Sequence, residues 1–200
     1  VAITGNASGA GVFTIASPDS ATDRTLTLPD ETGTVVTTAS LNPLTSGTAV
    51  ASTSGTAIDF TGIPSWAKRI TVMLNGVSTT GTINLLVQIG TSGGIETTGY
   101  LSYFGYVNTA SNVGTGTATT GFGLWHGGSA DTHYLPIVLQ QVTGNTWLQS
   151  HAGAFWPGSS THIQTGGGNK TLAGTLDRIR LTAVNGTDTF DAGSINIMYE

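Results

Sequence analysis

Gly90-Thr91-Ser92-Gly93-Gly94 has the G-x-S-x-G spacing of a nucleophile elbow. An elbow needs a strand before the serine and a helix after it, which lifts the hydroxyl out of a sharp turn. A strand fits the residues before Ser92, but IETTGYLSYFGYV after it is no helix. In a chain rich in Gly and Ser such a match arises by chance. GGGNKT (166–171) looks like a phosphate loop without the adjacent Gly-Lys-Ser/Thr, and is expected to be a flexible loop. Glycoside hydrolysis would need two facing carboxylates. Asp188 and Asp191 flank Phe190 in NGTDTFDAG, but Asp in a turn usually hydrogen-bonds its own backbone. That reading is preferred over a catalytic pair or a calcium site. The four histidines, 126, 133, 151 and 162, show neither H-x-H nor H-x-x-x-H spacing. One from each chain could bind an ion on a trimer axis; otherwise they are expected at the surface or in turns. No catalytic set, metal or cofactor is expected.

The aromatic stretches carry more. GYLSYFGYVN (99–108) sets three Tyr and a Phe among glycines; GFGLWHGGSADTHY (121–134) and AGAFWPGSSTH (152–162) place Trp125 and Trp156 beside Gly or Pro turns. Trp and Tyr in such loops give flat apolar faces with a polar rim. Sugars are held by such faces together with Asp, Asn, Gln and His hydrogen bonds. The candidate glycan contacts are Tyr103, Tyr106, Trp125, His126, Asp131, His133 and Trp156. Trp147 and Trp66 are expected in the core.

These residues need a scaffold, and the composition names its class. Of 200 residues 29 are Gly and 8% are charged, whereas 38% are apolar. Ordinary domains carry roughly 25% charge, and disordered chains are rich in charge and poor in aromatics. Short β-branched runs between Gly, Ser, Thr and Asn turns indicate an all-β protein. A net charge of −5 with six Lys and Arg argues against nucleic acid and anionic membrane surfaces. No apolar run reaches the roughly 18 residues of a membrane span. VAITGNASGAG has neither the charged region nor the apolar core of a signal peptide, and the missing initial Met suggests a piece of a longer chain. Without Cys, neither disulfides nor thiolate metal sites are used.

Strands are expected at 56–61, 67–75, 83–89, 99–107, 118–126, 134–143, 146–152, 176–184 and 194–199, with turns at NG 75–76, SGG 92–94, TGN 143–145 and NGT 185–187. VTGNTW (142–147) is the clearest hairpin. The set suits an antiparallel β-sandwich, jelly-roll-like, over 50–200. If neighbouring strands carry them, Arg178 and Arg180 can pair with Asp177 or Asp59 as structural support. Residues 1–40 hold few apolar side chains, each worth about 1.5–3 kcal/mol when buried, against roughly 1.5 kcal/mol to order every residue. Such a segment needs partners, most simply its own copies around an axis. It is expected to be an intertwined trimeric shaft, joined through a 41–49 neck to the head.

TLTLPDETGTVVTT (25–38) resembles a repeat of phage tail fibre and other virion-associated proteins. TSGTAIDFTGIPSWAKRITVMLNGVSTTGT (53–82) and RIRLTAVNGTDTFDAGSINIMYE (178–200) resemble a C-terminal domain of phage and prophage fibre proteins. The resemblance implies an extracellular virion protein: a homotrimeric fibre joined upstream to the fibre or baseplate, whose β-rich head touches a host cell-surface polysaccharide or lipopolysaccharide. It assigns no binding residue. The other readings are a structural collar, baseplate or decoration fibre that binds another virion protein, and a glycan depolymerase.

Overall fold

Alternation decides most of the strands. In Arg69–Thr79 the side chains of Ile70, Val72 and Leu74 are buried while Arg69 and Asn75 are exposed. In Thr132–Thr143, Leu135, Ile137 and Leu139 face inward between exposed Tyr134, Pro136 and Gln140. Two faces of unlike polarity make each strand one wall of a layered structure.

The computed structural model describes residues 44–158 and 161–200, together with Asp19 and residues 21–23. The chain divides into two units, residues 1–36 and 37–200, and the fold is that of the second. The shaft expected over 1–40 lies, apart from those few positions, outside the described residues.

Fourteen strands follow one another: β1 (Thr45–Ser46), β2 (Val50–Ala51), β3 (Ala57–Thr61), β4 (Arg69–Thr79), β5 (Leu85–Thr91), β6 (Gly94–Ile95), β7 (Tyr100–Asn108), β8 (Val113–Ala118), β9 (Phe122–Leu124), β10 (Thr132–Thr143), β11 (Thr146–Trp156), β12 (His162–Thr171), β13 (Arg178–Ala183) and β14 (Phe190–Tyr199). They form two antiparallel sheets. The larger has nine strands in the order β1-β14-β4-β10-β11-β12-β7-β8, with β2 also on β14; the smaller runs β3-β13-β5-β6, with β9 beside β5. No helix occurs among the described residues. The protein is an all-β sandwich. The described part of the expected neck is bonded to the sheet edge, Thr45 opposite Tyr199 and Gly47 N–H donating to Ile197 O at 2.7 Å.

Ile58, Val87, Ile89, Ile179 and Leu181 of the smaller sheet pack with Ile70, Val72, Ile137, Leu139 and Ile197 of the larger. Trp147 belongs to this core at 2% exposure. Trp66 is half-buried, tilted against Tyr199 with ring centroids 5.6 Å apart. Arg180 and Asp59 face each other across β13 and β3 and form a two-pronged ion pair, 2.7 Å on each arm. Arg178 pairs with the adjacent Asp177.

Three expectations change. GGGNKT is not a flexible loop but part of β12, an interior strand between β11 and β7. Its glycines make room: a Cβ on Gly166 would stand 2.5 Å from His151 Cε1 and 2.8 Å from Phe104 Cβ. The pair NG 75–76 is a bulge inside β4 rather than a turn. There Gly76 takes φ +67° and the register with β10 and β14 shifts, a conformation glycine adopts cheaply. The strand expected at 118–126 shortens to β9 (Phe122–Leu124): Ala118 instead ends β8, and the chain crosses at Thr119–Gly121 from β8 of one sheet to β9 of the other.

The outer face of the larger sheet is unusual. Over β10, β11, β12, β7 and β8 it carries no charged side chain, as the paired positions Tyr134–Ala154–Ile163–Val107–Val113 illustrate. Of thirteen exposed large apolar residues among those described, eight lie there: Leu101, Tyr103, Val107, Val113, Tyr134, Leu148, Trp156 and Ile163.

Candidate functional site

One register row on the inner face of the larger sheet shows how the site arises. Ile197, Val72 and Ile137 stand side by side on β14, β4 and β10; the row then continues as His151, Gly166, Phe104 and Gly116 on β11, β12, β7 and β8. Aliphatic packing gives way to histidine, aromatic rings and glycines that seat them. Over this half β9 packs on β7, β12 and β8, and the segment after it, Trp125–Asp131, completes the cover.

Trp125, partly buried, lies at the wall of a cleft of about 480 Å³ beside Thr82, Ile83, Asn84, Thr117, Thr119, Thr120 and Val184, with no charged residue in its lining. Its ring tilts against Tyr106 with centroids 4.7 Å apart. A Cβ on Gly114 would come within 2.8 Å of Trp125 Cη2, so β8 can pass over the indole only as glycine. Tyr106 continues into Phe155 at 5.9 Å and His162 at 5.1 Å. The indole is therefore held in place by a cluster of rings.

Behind it runs a chain of buried hydrogen bonds whose direction follows from its first donor. Trp125 N–H donates to Gln164 Oε1 at 3.0 Å, so the amide nitrogen of Gln164 faces His133 Nδ1 at 2.9 Å and donates to it. His133 then carries its proton on Nε2 and gives it to His126 Nδ1, 2.9 Å away. His126 in turn donates from Nε2 to Thr79 Oγ1 at 3.0 Å, with Gly81 O at 3.3 Å. Every acceptor along this path is used, so both imidazoles are neutral. Burial pushes His133 down to about 3, with the neighbouring histidines adding to the shift. Burial also lowers His126, against the opposing pull of Asp131, Gly81 O, Asp188 and Asp191. His151 is pushed down to about 4 by burial; its Nδ1 lies 2.9 Å from the Gln149 amide and its Nε2 has no partner among the described residues.

The structure sorts the seven sequence candidates into three groups. Tyr106, Trp125, His126 and His133 converge, but only Trp125 and Tyr106 are partly exposed. His126, His133 and Asp131 are 1%, 0% and 2% exposed; they act as framework, and of the three His126 lines the cleft. The expectation of surface or turn histidines is thereby corrected for 126, 133 and 151. Asp131 Oδ2 accepts the Gly127 and Gly128 N–H groups at 2.8 and 3.1 Å and fixes the loop after Trp125. Tyr103 and Trp156 lie on the opposite, outer face of the sheet. The His162 ring stacks near Phe155, centroids 4.6 Å apart; Ser159, beside Trp156 in sequence, is outside the described residues.

Gln164, Asn84 and Thr79 were not legible as site residues. Asn84 Oδ1 accepts the His126 N–H at 2.8 Å and ties the 82–84 segment to the loop. Ser92 sits in the β5–β6 hairpin turn, its carbonyl accepting from Arg178. Asp188 Oδ1 accepts from the Asn185 side-chain amide rather than from its own backbone, and Asp191 lies in β14 rather than in a turn, so the expectation of turn carboxylates bonded to their own backbone is corrected. No three His, Asp or Glu residues converge as a metal site among the described residues. Compared with known proteins, the chain matches no family model, no curated protein and no solved structure.

Proposed function

We propose that this protein is a non-enzymatic attachment module that binds a neutral segment of a cell-surface polysaccharide or lipopolysaccharide, as the head of a homotrimeric phage tail fibre. The observation that carries the reading is the Trp125 cleft: one indole, braced by Tyr106, among threonine hydroxyls and the Asn84 amide, without a charge. A pyranose offers an apolar face for stacking and hydroxyls at its edge, and a rigid site of this kind limits the ordering cost of binding. The fibre part of the proposal rests on the resemblance of residues 25–38, 53–82 and 178–200. The non-catalytic reading fits Ser92, which sits in a hairpin turn rather than at a strand-to-helix elbow.

The test is a binding measurement on a panel of purified bacterial surface polysaccharides with Trp125→Ala and Trp147→Ala. Trp125→Ala is expected to lower affinity at least tenfold while shifting the melting midpoint by only a few degrees. Trp147→Ala is expected to cost about 3–5 kcal/mol of stability, the usual loss for a buried large aromatic. Wild-type affinity in a folded Trp125→Ala protein rejects the cleft as the site. A structural virion component is the second reading, favoured by the uncharged outer sheet face. Absence of binding to any polysaccharide by a correctly assembled protein selects it.

A further inference from the structure

We infer that the outer face of β10, β11, β12, β7 and β8 is the surface through which copies of this chain pack on one another. This deepens the assembly part of the proposed function and uses the opposite side of the sheet from the Trp125 cleft. Three observations point to a second copy as the occupant. The face has no charge in a molecule of net charge −5, so identical copies meet there without like-charge contact, whereas an acidic or basic partner would find no counterpart. Its size fits. Five strands about 4.8 Å apart and averaging roughly ten residues give a footprint of about 700 Å² before side-chain relief, near the roughly 800 Å² each partner buries in a stable interface. It also has relief: Tyr103, Val107, Val113 and Ile163 border a groove of about 780 Å³ that passes over Gly105. A monomer seldom leaves so much contiguous apolar surface in water. The exposed face of Trp156 and the ring of Tyr103 belong to this surface and would be covered on assembly.

The chain contains no Cys, so a single introduced thiol reports on one place. Thr165 is exposed near the middle of the face on β12, and Thr61 is exposed on the outer side of the smaller sheet. Full-length Thr165→Cys and Thr61→Cys proteins, each checked for wild-type melting, are treated with a bismaleimide of roughly 10 Å span, about one sheet-to-sheet spacing, which joins equivalent positions of copies whose outer faces turn toward a common axis. With one thiol per chain, every covalent dimer joins two copies. The expected result is at least tenfold more dimer from Thr165→Cys than from Thr61→Cys, and loss of that excess when Ile163→Lys is added. Equal dimer yields overturn the inference if the Thr165→Cys thiol labels freely, because the face is then bare. They also overturn it if that thiol is blocked, because another part of the same chain then covers the face. Either failure leaves polysaccharide binding through Trp125 untouched, so the two proposals fall separately.

Discussion

Moving the protein from pH 7.5 to pH 5.0 should cost it several kcal/mol of stability, and histidines are the reason. In the folded chain His133 and His151 are held down to about 3 and about 4 by burial, from an ordinary 6.5. The unfolded chain binds protons on both as pH falls below 6.5, while the folded chain binds neither until near pH 4. Their contribution is therefore complete above about pH 6.5 and is lost as pH drops toward the folded values. Each group costs about 1.4 kcal/mol per pH unit in that window, so at pH 5.0 each has taken about 2 kcal/mol and the two about 4 kcal/mol. His126 is also lowered and acts in the same direction. Against a usual total of roughly 5–15 kcal/mol this is a large fraction. Glu96, held below its ordinary value of 4.5 by Lys170 and the Ala173 N–H in opposition to burial, stays ionised throughout and does not mask the effect. Urea unfolding at half-unit intervals from pH 7.5 to 5.0 measures it, with a constant slope in denaturant as the check on two-state behaviour. His151→Gln should remove about half of the pH dependence of the His133–His151 pair. A stability change below about 1 kcal/mol across the range would refute neutral, buried imidazoles and with them the directional chain from Trp125 to Thr79.

Gly166→Ala places a methyl against His151 and Phe104 inside the sheet. It should lower the urea midpoint by the equivalent of about 1–3 kcal/mol, the usual cost of overpacking. Arg180→Ala breaks an ion pair whose side chains are 36% and 40% exposed; it should change stability by less than about 1 kcal/mol, with a smaller effect in high salt. Light scattering of the whole protein should give roughly three times the 20.3 kDa chain mass, and a monodisperse monomer would remove the basis for a trimeric assembly.

Where apolar alternation was strong, the sequence was readable. β4, β10 and β14 were expected because Ile, Val and Leu recur at every second position, and the turn at 143–145 joins β10 and β11 as its Thr-Gly-Asn predicts. Trp147 is core and Arg180 meets Asp59 for the same reason: neighbouring strands put the expected residues on the expected faces. β12 escaped because its pattern is inverted. Its inward positions are Gln164, Gly166, Gly168 and Lys170, and its outward ones include Ile163 and Thr165, so polarity alone marks it as a loop. Lys170 is tolerated inside because it pairs with Glu96. His133 and His126 escaped because the partners that make burial tolerable, Gln164 and Thr79, lie 31 and 47 residues away in the chain. A polar side chain looks like surface until its distant partner is known.

The sheet order has a consequence for how the molecule is made. β4, near the middle of the large sheet, has β14 as one of its two neighbours, and β13 lies between β3 and β5 in the small one. On a ribosome adding about 5–20 residues per second, β4 waits roughly 5–20 seconds for β14 to emerge. A chain arrested before residue 178 has strands for parts of both layers but completes neither, leaving Val72 without Ile197 and Val87 without Leu181 as neighbours in their sheets. Premature termination products therefore lack the complete sandwich. They should be cut by proteases faster than the chain translated through Tyr199.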